Sequence, residues 1–294
     1  MDRVELKDHP NRSGTTIQGW PSIALGALLI GVGAIVVLIG VLGMSDKSVP
    51  GEVLASMGAV FALAGVLFVV NAARGLLARQ RKDAMADAVL ADHPWNRTHA
   101  TSNALGAAFQ MAFGAAVIAL FLVPFNWWAF VSKDGNLLVM LIVGLFDGVW
   151  AMTVSRALYL VARGLKYGTS TLTFDRFPYR LGQPLGARFD CARTIDSPQG
   201  IEVIARCVEE AFEVRGSGRN RKSVVVCYQT HAAQTIVQPG TSPSGGTSFT
   251  FTLDLPHGDH ATKLAERPPR YWEVEMKAET PGVDFGALFL VPVY

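Results

Sequence analysis

The chain has 294 residues, room for one large domain or two modest ones. Half of them are apolar, 17% are charged and the formal net charge is +2, a balance that excludes the basic face of a nucleic-acid binder. The charge deficit is local: charged residues thin out between positions 20 and 160 and return at ordinary density after Lys166.

Residues 1–19 form a polar tail carrying Arg3, Lys7 and Arg12. A helix needs about 20 apolar residues to cross the hydrocarbon core of a bilayer. Four stretches reach that length: 20–44, 53–73, 104–123 and 137–160. The first is too long for the apolar part of a cleavable leader, so it reads as a retained anchor. Ala27 with Gly31, and Gly58 with Ala62, are small residues at helical spacing, which lets helix backbones approach closely but for any single pair reads first as the ordinary abundance of Gly and Ala in membrane helices; the short loop between spans one and two predicts an antiparallel hairpin. Residues 74–90 read as a helix continuing beyond span two, ended by Pro94.

Lys and Arg are biased to one side of the four spans. The tail, the loop 74–103 (Arg74, Arg79, Arg81, Lys82, Arg97) and the chain after span four (Arg163, Lys166) are basic. The other two loops hold only Lys47 and Lys133. The expected orientation places both termini in the cytoplasm, with Trp127 and Trp128 in the outer aromatic belt. Cys191, Cys207 and Cys227 lack a pairing motif and read as small hydrophobes in a reducing compartment.

After Gly168 the apolar period shortens to two. Candidate strands are 171–175, 187–192, 201–208, 223–230, 248–255, 272–279 and 285–294. A hairpin tip is expected at Gly216–Gly218, and a flexible loop at 238–247. Pro292 suits an edge strand. Residues 288–293 are apolar on both faces, which predicts burial against a second layer, the helical half or another copy of the chain. About seven strands with no long helix suggest a two-sheet sandwich. The expected division is a tail 1–19, a four-helix membrane domain 20–165 with its loop 74–103, and a soluble all-β domain 166–294.

The run Phe249-Thr-Phe-Thr-Leu-Asp-Leu-Pro256, then Arg270-Tyr-Trp-Glu-Val-Glu-Met-Lys277, Pro281-Gly-Val-Asp-Phe285 and Val291-Pro-Val293 resembles bacterial multi-pass membrane proteins with a cytoplasmic β-sandwich similar to arrestins. Pro94-Trp95 before span three resembles the same group. The resemblance covers the last 50 or so residues well and the rest in layout. It implies an arrestin-like or immunoglobulin-like sandwich, the bacterial inner membrane and a protein-binding role. It carries no catalytic residues.

Few residues stand out as chemical. Asp147 falls near the middle of span four, where an ionised carboxylate is costly and is by default a functional candidate, with Gln110 of span three as a neighbour. Arg215, Arg219, Arg221 and Lys222 form a basic hairpin tip that would either be solvated or touch acidic lipid headgroups. Cys227 with His231, and His257 with His260, have spacings seen in zinc sites. Residues four apart on a strand lie about 13 Å apart, however, so no complete ligand set forms. No catalytic triad, phosphate loop or dinucleotide motif is present, and no cofactor is implied. The leading expectation is a membrane-held adaptor that binds an unidentified protein, with membrane lipids around its helices. The rival is a transporter or channel component built on Asp147, and a third is an enzyme with a composite site at the membrane face.

Overall fold

A computed structural model describes residues 3–7, 9, 20–43, 51–84, 88–131, 137–216, 221–238, 240–241 and 245–294. They fall into two compact units. One comprises Met1–Thr16, Ala78–Leu105 and Val161–Tyr294, the other Ile17–Leu77 and Gly106–Leu160. The expected boundaries at 19, 74–103 and 166 are therefore corrected. Tail, loop and C-terminal segment fold together, because strands from the first two complete the sheets of the third.

The helical unit is built from α1 (Trp20–Val41), α2 (Gly51–Ala84), α4 (Ala104–Asn126) and α5 (Leu137–Tyr167), whose ends run beyond it. The five-residue α3 (Ala88–Asp92) follows α2, and the chain then leaves it through Pro94. Among the described residues, four segments are long and apolar enough to cross a membrane: Ile23–Val41, Gly51–Arg74, Ala104–Val131 and Leu137–Tyr167. No more than 17% of any of these windows is buried, so protein does not solvate these helices.

α1 and α2 meet along six glycines. A Cβ on Gly26, Gly33 or Gly40 would lie 2.5–2.7 Å from the carbonyl oxygen of Gly65, Gly58 or Gly51 respectively. The seven-residue spacing keeps each glycine on one seam of an antiparallel pair, where backbones approach closely. Of the two expected pairs, Gly58 and Ala62 do face α1, through Gly33. The other pair does not: a Cβ on Gly31 would meet open space, and Ala27 is exposed. Gly31 lies two residues, about 200°, from Gly33 and so points away from the seam.

Ala108, Ala115, Leu122 and Ala129 repeat the seven-residue spacing along the third span and are buried. The Trp150 indole of α5 donates to the Ala115 carbonyl (3.0 Å). The third span is longer than expected. Pro124 lies inside α4, and Trp127–Val131 continue it as a π-helical turn that holds both tryptophans. A proline removes one backbone donor and crowds the preceding turn, a common cause of such local rewinding.

Ten strands form the other unit among the described residues, three more than the seven expected. One antiparallel sheet has β1 (Val4–Glu5) and β6 (Lys222–Val237), then β5 (Ile201–Arg215), β9 (Arg270–Ala278) and β10 (Phe285–Val291), in that order. The second runs β2 (His99–Asn103), β3 (Thr169–Phe174), β4 (Pro184–Cys191), β8 (Thr247–Asp254), β7 (Gly240–Thr241). The three additions are β1 from the tail, β2 from the loop and β7 from the expected flexible loop. None carries enough alternation to be read alone.

Both sheets contribute to one core that includes Phe189, Ile201, Val203, Trp272, Met276 and Phe289. β8 alternates as its sequence requires: Phe249, Phe251 and Leu253 are buried while Thr250, Thr252 and Asp254 are exposed. β10 is an edge strand, and the carbonyl of Pro292 just beyond it accepts from the Tyr179 N–H (2.9 Å). Its two apolar faces are both used. Phe289 and Val291 enter the core, while Leu290 packs with Val208, Cys227 and Tyr271 in a smaller cluster on the outer face, where Leu6 and Leu264 join them.

Two ties hold the remote segments to the sheets. The Asp92 carboxylate accepts from the backbone N–H of Leu264 (2.9 Å) and Ala265 (2.7 Å) and from the Tyr294 hydroxyl (2.8 Å). The Trp95 indole donates to that same hydroxyl (3.0 Å). At the end of α5, the Lys166 ammonium donates to Thr280 Oγ1 and to the carbonyls of Pro281 and Val283 at 2.7–3.0 Å.

Candidate functional site

Inside the two-residue edge strand β1 of the first sheet runs β6, sixteen residues long. Among the described residues its outer side pairs only with β1, in the register Val4↔Gln229 and Glu5↔Tyr228. The Leu6 N–H adds a bond to the Cys227 carbonyl (2.9 Å). A bulge between Cys207 and Val208 in the β5–β6 ladder bends the ribbon just beyond that point. Past the bulge β6 continues to Val237, and Ile236 is 68% exposed.

The tail is fastened at two further points. Glu5 accepts a two-pronged bond from the Arg215 guanidinium (3.2 and 3.0 Å), which also binds Glu213 (3.0 Å). Tyr228 donates its hydroxyl to Glu213. Deeper on the sheet, His9 Nε2 lies 3.2 Å from both carboxylate oxygens of Glu273. Arg206 Nε approaches Glu273 to 2.5 Å, and another of its nitrogens lies 2.9 Å from Glu275. Burial pushes the Glu273 carboxyl up, but the His9 hydrogen bond and the Arg206 charge outweigh it and hold the pKa below its ordinary value.

This corrects the reading of β9. Glu273 alternates with apolar neighbours as a solvent-facing residue would, yet it is 2% exposed because the tail covers that face. Sequence reasoning missed His9, Arg206 and Glu273. The available signal was only the short alternation Val4-Glu5-Leu6-Lys7.

The basic hairpin tip is partly committed elsewhere. Arg215 is held by Glu5 and Glu213, with its side chain 41% exposed. Arg221 is exposed, while Arg219 and the Lys222 side chain lie outside the described residues.

Asp147 stands ten residues into α5, about 15 Å along it at 1.5 Å per residue, half the thickness of a roughly 30 Å hydrocarbon core. Its polar neighbour is Asn126, whose amide donates to Asp147 Oδ1 (2.9 Å). The expected neighbour Gln110 is corrected: it is exposed and sits sixteen residues earlier on α4, about 24 Å away along the helix. Asp147 and Asn126 line a cavity of about 460 Å³ whose other walls include Leu122, Trp127, Phe130 and Trp150.

All three cysteines are buried and outside any disulfide. Burial pushes the Cys207 thiol up to about 11, far from a nucleophile's range. His231 neighbours the His260 ring (centroids 6.0 Å apart) and the Trp272 ring (5.8 Å). Burial first, and then His260, lower its pKa. The spacing pairs Cys227 with His231 and His257 with His260 do not converge into a group of three metal-binding side chains among the described residues.

No protein-family model matches the chain, and no curated protein matches it. Among solved structures, the chain can be superposed on Pseudomonas fluorescens alkylpurine DNA glycosylase AlkC bound to DNA containing an abasic site analog. The identity is 12%, covering 94% of this chain and 77% of that one. The TM-score of 0.18 is too low to carry any argument about fold or activity.

Proposed function

We propose that the protein is a membrane-anchored binding module that takes up an extended segment of a partner protein along the outer edge of β6. The observation that carries this reading is β1. Two residues from the far end of the chain already add to that edge as an antiparallel strand. An edge that accepts one strand presents unpaired backbone groups to another. The basic bias of tail, loop and post-helical segment supports a cytoplasmic side for this unit, and the resemblance of its last strands supports a bacterial inner membrane as its setting. The resemblance of 249–293 to membrane proteins with arrestin-like domains supports a binding role, although a fold does not by itself define a function.

A photo-crosslinking side chain at Ile236 in the full chain, expressed in its native membrane, tests this. A protein adduct that vanishes when β6 is blocked by a competing strand peptide supports the module. Adducts to lipid alone, or none, overturn it. A second reading, a transporter or channel component, is favoured by the position of Asp147 in a lined cavity. Solute flux through reconstituted protein that is abolished by Asp147→Asn would support it, and flux unchanged by that substitution would remove it.

A further inference from the structure

We propose that the cavity around Asp147 is a binding site for an organic ammonium group carried on an apolar body. Its walls are apolar and aromatic except for the Asp147 carboxylate and the Asn126 amide, which meet at 2.9 Å. The amide donates a hydrogen bond but no countercharge. Among the described residues no Lys, Arg or His pairs with Asp147, so an ionised carboxylate at this depth lacks the cation that would offset its desolvation.

A guest can supply that charge, and the lining selects its kind. Hard metal ions take six or more oxygen ligands, and one carboxylate beside one amide falls well short. A weakly hydrated ammonium needs few oxygens and is attracted to the faces of aromatic rings. Trp127, Phe130 and Trp150 line the cavity, which at about 460 Å³ falls in the size range of small-molecule sites. Trp127 and Phe130 are 54% and 53% exposed, which puts its mouth on the outer surface of the α4–α5 pair. A ligand would therefore enter sideways, from the medium that surrounds the helices. This inference depends on neither the adaptor nor the transporter reading, since binding requires no partner protein and no flux.

The experiment uses the full chain in lipid nanodiscs, with empty discs as background, and equilibrium dialysis of benzyltrimethylammonium. Its uncharged carbon analogue, neopentylbenzene, is the competitor of equal shape. The expected result is saturable binding of the cation that the neutral analogue displaces at least tenfold less well. Asp147→Asn should weaken binding at least tenfold and Trp127→Leu severalfold. Phosphatidylglycerol and phosphatidylcholine discs separate the sources of the ammonium. Weaker apparent binding in phosphatidylcholine identifies a lipid headgroup as the resident guest, and equal binding identifies a free amphiphile. Equal affinity for the charged and uncharged probes overturns the proposal in the unmodified protein, whether or not the variants fold. So does binding that survives intact in a folded Asp147→Asn.

Discussion

His9 and Glu273, 264 positions apart in the chain, meet in a nearly water-free contact on the outer face of the first sheet. Their side chains are 1% and 3% exposed. The chain before the first apolar helix and the chain after the last one therefore belong to one folded body. A buried carboxylate needs donors that water can no longer supply. Here a tail histidine provides one and Arg206 the rest.

Removing either donor should release the tail to a different degree. His9→Ala leaves Glu273 with Arg206 still in place and should cost about 1–3 kcal/mol, the penalty of an under-satisfied buried group. Arg206→Met removes the charge itself and should cost about 3–5 kcal/mol, as for other broken buried ion pairs. Hydrogen exchange at the Leu6 amide, which donates to the Cys227 carbonyl of β6, reads both, and Arg206→Met should raise it more. A smaller effect for Arg206→Met would contradict this assignment of roles.

Acid should undo the same contact. The folded-state pKa of Glu273 is lowered from its ordinary 4.5. Its contribution is complete above that value and is lost as the pH falls through the lowered one, because the unfolded chain then binds the proton more readily. Protection of the Leu6 amide should decline below pH 4.5 in the wild type. In Glu273→Gln that acid limb should shrink, leaving what the Glu213 carboxylate, also held below its ordinary value by Tyr228 and Arg215, contributes.

His231 should titrate below the ordinary imidazole value of 6.5, since burial disfavours its charged form and His260 stands close by. Its NMR titration midpoint checks this. His260→Asn should raise the midpoint only in part, because burial is the larger cause. A full return to 6.5 would reverse that order.

The glycine seam predicts two opposite outcomes for one substitution. Gly33→Leu drives side-chain atoms into the Gly58 carbonyl and should cost at least 1–3 kcal/mol by overpacking, of order. Gly31→Leu, which meets open space, should be near neutral. Thermal unfolding in detergent distinguishes them, and equal midpoints would refute the seam.

Asp92→Ala should loosen the residues it caps. Two backbone donors and one hydroxyl, all part-buried, lose their acceptor, which should cost about 1 kcal/mol, the low end for groups left unmet. Exchange at the Leu264 and Ala265 amides should rise, while that of β8 stays unchanged.

Composition and periodicity alone determined a good deal of this protein. The apolar stretches at 20–44, 53–73, 104–123 and 137–160 announce four long helices because each is local and continuous. The period of two in 248–255 and 272–279 announces strands for the same reason. Side-chain contacts were a different matter. Asp147 drew attention by its charge, but its partner proved to be Asn126 instead of Gln110, since helix pairing decides which residues share a level. Arg215 looked like part of an exposed basic tip until Glu5 was brought to it.

Only the tertiary structure decided that the tail and the loop 78–105 supply strands to both sheets. A two-residue strand such as Val4–Glu5 has no stability or pattern of its own; the β6 edge induces it. Glu273 shows the same limit, because its sequence pattern assigns it to the surface and only a segment arriving from 264 residues away makes that surface an interior. Local pattern specifies elements, whereas burial of a charge depends on what lies across from it, and distant segments of chain determine that.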